Sequence, residues 1–301
     1  MSKDQLDAID QEIRNRPVRT GLDLAGVREA FESRMATNDG LPAVEIVADT
    51  LGGVPVAHHG AATSEDVVFY LHGGGFTLGS PRAIARLAGA IGARAGARVV
   101  SVDYRLAPEH PFPAALDDAL AAYRGLVDSG VPASRVAFAG ESAGGNLVVA
   151  TLLAARDAGL PLPGSAVALS PFADLTMSSA SLDTRAELDP VIRKDALTAQ
   201  ARSYYAQSDP VAPLISPVFA DLRGLPPLLI QVGSNEVLLD DALRLAARAA
   251  ADEVEVRLEV TPRASHVFQV FGSRVDEAIA ALDNIGAFIR DRYAAQVPAL
   301  R

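Results

Sequence analysis

Short uninterrupted apolar runs alternate with helix-period segments through most of this chain, and that rhythm limits its fold more than any other feature. Residues 67–71, 97–102, 135–139, 166–169 and 227–232 are predominantly apolar on both alternate positions. A strand apolar on both faces must be covered on both faces, which is the condition of a parallel sheet between helical layers. Helical segments lie between the runs at residues 84–95, 112–129, 143–158 and 240–251, and a long one closes the chain at about 274–294. Residues 44–48 and 54–58 flank Leu51-Gly52-Gly53 and predict a hairpin. Residues 254–260 alternate Val254, Val256, Leu258 and Val260 with Glu255, Arg257 and Glu259, as expected of a strand near a sheet edge with one solvated face.

Two stretches stand outside this rhythm. Residues 3–15 and 22–36 predict short amphipathic helices separated by Pro17 and Gly21. Residues 172–210 are polar and helix-prone, and predict an insertion over the sheet. The expected organisation is an α/β fold with N-terminal helices over residues 1–40. A main domain then follows over 41–301, carrying an insertion at about 172–210. At 301 residues and 49% apolar content the chain can build one large core. The net charge of −10, without a dense basic cluster, argues against nucleic acid as a partner. No apolar run reaches membrane-spanning length. The charged N-terminal segment lacks the apolar run of a signal peptide, so the expected location is cytoplasmic. The absence of cysteine excludes a disulfide framework, cysteine-ligated zinc and a thiol nucleophile.

Gly140-Glu141-Ser142-Ala143-Gly144 joins an apolar run to a helix. Flanking glycines permit a sharp turn that would expose Ser142 above the sheet, with the Ala143 N–H at the positive end of the following helix. As a bare pattern it is weak, and tight helix–sheet packing is the competing explanation, but its placement between an apolar strand and a helix strengthens the nucleophile reading sharply. His72-Gly73-Gly74-Gly75 follows directly after residues 67–71. Three consecutive glycines are entropically costly and make sense where backbone N–H groups must approach a ligand. Two of them, with Ala143 N–H, could hold a developing oxyanion. Neither phosphate-loop pattern is present. His72 reads as a loop brace.

A serine nucleophile needs a base, and the base an orienting acid. His266 is the single histidine after Ser142 and follows the last predicted strand. His58 and His59 read as hairpin surface, and His110 as a structural loop residue. For the acid, Glu236 lies just beyond residues 227–232, whereas Asp240 and Asp241 begin the next helix and suit its N-terminal charge. Glu236 is the choice and Asp240 the reserve.

Taken together, "HGGGF", "SVDYRLAPEHPFPAALDD", "GESAGGN", "GSNEVLLDDALRLA" and "SHVF" resemble the hormone-sensitive-lipase-like (bacterial family IV) esterases of the α/β-hydrolase fold, over about residues 66 to 270. The resemblance implies hydrolysis of small carboxylic esters without metal or cofactor. It implies Ser142 as nucleophile, His266 as base, Gly74, Gly75 and Ala143 as oxyanion donors, and a cap built from the N-terminal helices and the insertion. Many members carry aspartate where this chain has Glu236, and a glutamate does the same job with a longer arm. Asp103, Arg105 and Glu109 read as loop-fixing ion pairs. Tyr204 and Tyr205 either line the pocket or pack the cap. A lactone or carbamate substrate would use the same three residues. A non-catalytic binding protein, like plant hormone receptors resembling this family, would be expected to lack them. The edge strand offers a route to a homodimer.

Overall fold

The structure is a computed structural model and describes residues 2–17, 21–36, 40–60 and 64–294. Residues 1, 18–20 and 37–39 of the expected N-terminal segment, and the last seven residues, lie outside it. Two helices come first, α1 (Ser2–Arg14) and α2 (Leu24–Ala36). The hairpin follows as β1 (Ile46–Leu51) and β2 (Val54–His59). Gly52 and Gly53 both have positive φ, 58° and 82°, as a two-residue turn matched to strand twist requires.

The alternating body comprises β3 (Val67–Leu71), α3 (Pro81–Ala95), β4 (Arg98–Val102), α4 (Ala114–Asp128), β5 (Val136–Glu141), α5 (Ala143–Asp157) and β6 (Ser165–Leu169). The insertion carries one helical turn, α6 (Ser181–Thr184), and a longer helix, α7 (Lys194–Tyr205). Then come β7 (Leu228–Gly233), α8 (Leu239–Ala251), β8 (Val256–Thr261) and α9 (Asp276–Ala294).

One eight-stranded sheet runs in the order β1-β2-β4-β3-β5-β6-β7-β8, with the β1·β2 and β2·β4 pairs antiparallel and the other five pairs parallel. The apolar runs are fully buried because each strand feeds two cores. From β3, Val67, Phe69 and Leu71 enter the core that also holds Leu147 of α5 and Tyr123 of α4. Val68 and Tyr70 enter the opposite core, with Ile84 and Ile91 of α3 and Ile285 of α9. From β3 the chain steps to β4 on one side and returns to β5 on the other. The crevice at the carboxyl ends of β3 and β5 is therefore a topological switch point, the usual seat of a site in such sheets.

Two expectations fail here. His59 is 3% exposed, with Nε2 2.8 Å from Ser101 Oγ, and is not hairpin surface. β2 is an interior strand beside β4, with α3 and α4 packed on it, so its side chains are covered. β8 is the sheet edge, as expected, but it starts at Val256 and its alternation does not set burial. Val260 is 39% exposed, whereas Glu259 is half-buried and accepts from Gln231 Nε2 at 2.7 Å.

Candidate active site

Ser142 occupies the junction of β5 and α5 with φ 57° and ψ −119°, a conformation that L side chains rarely adopt. Its N–H donates to Leu169 O at 2.8 Å and its carbonyl accepts from Phe172 N at 3.0 Å, which pins the turn to the end of β6. The flanking glycines are required by close approach. A Cβ on Gly144 would stand 2.0 Å from Leu71 O, and one on Gly140 2.6 Å from Gly144 O. Both readings of the motif therefore hold at once: the glycines serve packing, and the packing forces the serine into its bend.

Across the switch point, Gly74 and Gly75 have φ values of 111° and 60°. Neither their N–H groups nor that of Ala143 has a hydrogen-bond partner among the described residues. The Gly74 carbonyl faces the other way and accepts from Leu78 N at 2.9 Å. His72 braces the loop, with its ring stacked on Tyr104 at 4.1 Å and Nδ1 2.8 Å from Gly73 O. Burial holds this imidazole down at about 4, so it stays neutral.

His266, on the loop after β8, is 7% exposed and places Nδ1 2.8 Å from Glu236 Oε2. The other carboxylate oxygen of Glu236 accepts from Ser170 Oγ at 2.8 Å and from Gly233 N at 2.5 Å. Burial alone would lower the His266 pKa. The hydrogen bond that the ring donates to Glu236 and the charges of Glu236, Asp189 and Glu141 outweigh it, and the net direction is upward.

Residues 68–270 match the protein family described as alpha/beta hydrolase fold. An acetyl-hydrolase of Streptomyces hygroscopicus is 48% identical over 223 residues, covering 74% of this chain and 75% of the relative. An esterase of Acinetobacter venetianus is 36% identical over 249 residues, 82% of each chain. The crystal structure of an esterase from the bacterial hormone-sensitive lipase family superposes with a TM-score of 0.92 at 41% identity, covering 96% of this chain and 98% of that one. The chain belongs to the alpha/beta hydrolase family. Within it, the protein is a hormone-sensitive-lipase-like carboxylesterase.

In this esterase the aspartates after β7 are committed elsewhere. Asp240 accepts from Ser181 N at 2.8 Å. Asp241 is buried and accepts from Ala173 N and Asp174 N at 2.8 Å each, and from Ser179 Oγ at 2.5 Å. Both therefore clamp the insertion and do not cap their own helix. Ser181 Oγ donates to Val237 O at 2.6 Å, and Asp189 Oδ2 accepts from Val237 N at 3.0 Å. Arg105 pairs with Asp118 and Glu109 with Arg28, as expected of loop-fixing charges. Asp103 forms no ion pair among the described residues, contrary to expectation. Tyr204 packs: it is fully buried and stacks on Phe76 at 3.7 Å.

Three residues of the esterase's site escaped sequence reasoning. Ser170, which holds Glu236, reads only as the end of a strand. Asp189 reads as an insertion charge. Glu141 reads as the variable letter of its motif, yet it is 6% exposed and accepts from Gly73 N at 2.6 Å. A carboxylate at the end of an apolar strand was the available signal. No helix among the described residues is long and apolar enough to cross a membrane.

Proposed function

We propose that this carboxylesterase works through an acyl-serine on Ser142. His266 takes the hydroxyl proton as Ser142 attacks the ester carbonyl. Glu236 fixes the imidazole tautomer and stabilises its cationic form. The N–H groups of Gly74, Gly75 and Ala143 hold the oxyanion. His266 then protonates the departing alcohol, and water, activated by the same ring, releases the acid. The observation that carries this reading is the pairing of a buried Glu236–His266 hydrogen bond with a strained serine and three N–H groups that, among the described residues, have no partner and follow the adjacent ends of β3 and β5.

The proposed substrates are small esters with short acyl groups. A Cβ on Gly75 would stand 2.3 Å from the Gln200 carboxamide, so α7 lies directly on the glycine loop. The name of the Streptomyces relative, an acetyl-hydrolase, points the same way. α1, α2 and the insertion then serve as the cap over the body formed by residues 41–301. A homodimer through the β8 edge and a cytoplasmic location complete the proposal, the second consistent with the lack, among the described residues, of any helix long and apolar enough to cross a membrane. Light scattering and cell fractionation test these two.

The deciding experiment is hydrolysis of p-nitrophenyl esters from acetate to laurate. Ser142→Ala, His266→Ala and Glu236→Ala should each lose at least about a thousandfold in kcat. Asp240→Ala should retain activity, and acetate or butyrate should outrun laurate. A large loss in Asp240→Ala with activity kept in Glu236→Ala would overturn the assignment of the acid.

A further inference from the structure

The oxyanion donors of the proposed mechanism sit on a loop of three glycines, a segment with no side chains of its own to hold it. What fixes it comes from outside. Tyr104 Oη donates to His72 O at 2.6 Å before the glycines, and Leu78 N and Thr77 N donate to Gly74 O at 2.9 and 3.2 Å after the first of the donors. Between these anchors, the Gly73 N–H donates to Oε1 of Glu141 at 2.6 Å. The other oxygen, Oε2, is aimed by the Tyr70 hydroxyl at 2.7 Å. Gly73 also presses on this carboxylate: a Cβ there would lie 2.8 Å from Glu141 O and 2.9 Å from Oε1.

Glu141 is the residue joined by a peptide bond to Ser142. Its carboxylate therefore links the donor loop after β3 to the turn after β5. The register reinforces the link, since Tyr70 lies opposite Ala139 and Leu71 opposite Gly140. Ionisable groups face Glu141 from three elements: Tyr70 of β3, Tyr104 after β4 and His266 after β8.

We propose that Glu141 is a positioning residue for the oxyanion loop, setting the Gly74 and Gly75 N–H groups at a fixed distance from the Ser142 nucleophile through its hydrogen bond to Gly73 N–H. The inference rests on the acyl-serine reading above. A donor displaced by about 1 Å costs on the order of a hundredfold in rate while leaving ground-state binding largely intact.

The test compares Glu141→Leu, Glu141→Gln and Tyr70→Phe with the wild type and Ser142→Ala. Readouts are kcat and KM on p-nitrophenyl acetate, and the inhibition constant of an alkyl trifluoromethyl ketone, which becomes an oxyanion on adding to the serine. Glu141→Leu should lose about 30- to 100-fold in kcat with KM within about threefold, and bind the ketone weaker by a similar factor. Glu141→Gln keeps an amide oxygen for Gly73 N–H and should recover most of that loss. Tyr70→Phe, which leaves the Gly73 bond but frees the carboxylate, should lose at least about threefold in kcat and in ketone affinity together. If Glu141→Leu does not fold, the Tyr70→Phe result decides. Unchanged kcat and ketone affinity in the folded variants, with Ser142→Ala inactive, overturns the positioning role and leaves the proposed mechanism standing. Equal activity in Ser142→Ala and wild type removes the mechanism itself, and this inference with it.

Discussion

Glu236 Oε2 and His266 Nδ1 stand 2.8 Å apart, with the carboxylate fully buried and the ring 7% exposed. Shielded from solvent, the pair favours the cationic imidazole, and the His266 pKa rises above its ordinary 6.5. A base must be neutral to act. The kcat/KM profile should therefore climb with pH through a midpoint above about 6.5. In Glu236→Gln the attraction is removed while burial persists, so the midpoint should move down as the rate falls. A pH profile of both proteins checks this, and an unmoved midpoint would separate Glu236 from the histidine's titration.

The bend at Ser142 supplies a second prediction. At φ 57° and ψ −119° any residue with a Cβ is strained. Ser142→Gly and Ser142→Ala should both be inactive, but the glycine variant should be the more stable by about 1 kcal/mol, strain relief exceeding the entropy of the more flexible unfolded chain. Urea denaturation of the two variants measures the difference. A less stable glycine variant would refute stored strain at this position.

His59 and His72 govern part of the response to acid. Burial lowers both to about 4. Each contributes stability that is intact above the unfolded value of about 6.5 and declines as pH falls toward 4, by about 3 kcal/mol at full effect. Glu141 and Asp241, raised by burial to about 7, act in the opposite sense, since the folded protein binds their protons more tightly. Because the signs oppose, single variants are needed to separate them. His59→Gln should gain stability relative to wild type as pH drops from 7 to 4.5, measured by urea midpoints at both values. A relative stability independent of pH would contradict the assignment.

Arg28 ties α2 to the body. Its guanidinium donates to Thr77 O at 2.8 Å, to Ala107 O at 3.0 Å and to both oxygens of Glu109 at 2.8 and 2.7 Å. α2 has no buried residue of its own, so its attachment depends heavily on such polar contacts. Arg28→Ala should speed limited chymotrypsin cleavage at Phe31 while shifting the main thermal transition by only a few degrees. Unchanged digestion would place the attachment elsewhere on the helix.

How much of this was legible beforehand depended on the kind of signal. The central strands announced themselves because a run such as Val67–Leu71 has no solvated face to hide. The bend at Ser142 and the Glu236–His266 contact were legible because strand ends and a single downstream histidine leave few choices. His59 was misread because its environment is set by β4, which is remote in sequence, and not by its own hairpin. The alternation of β8 misled because Gln231 and Asn284 draw the Glu259 carboxylate inward, which periodicity cannot show. Glu141 and Ser170 were silent for a related reason: each acts through a partner about 70 residues away, from a position that looks like the last letter of a strand.

The clamp between the insertion and α8 bears on how such an enzyme can be recombined. Asp240, Asp241 and Val237 take hold of Ala173, Asp174, Ser179, Ser181 and Asp189, immediately beside Glu236. The insertion is thus sewn to the segment that carries Glu236. Transplanting residues 172–210 alone from a relative would leave Asp241 buried against foreign chain. The unit that can be moved without breaking this clamp is the insertion together with residues 236–244, inherited as one piece.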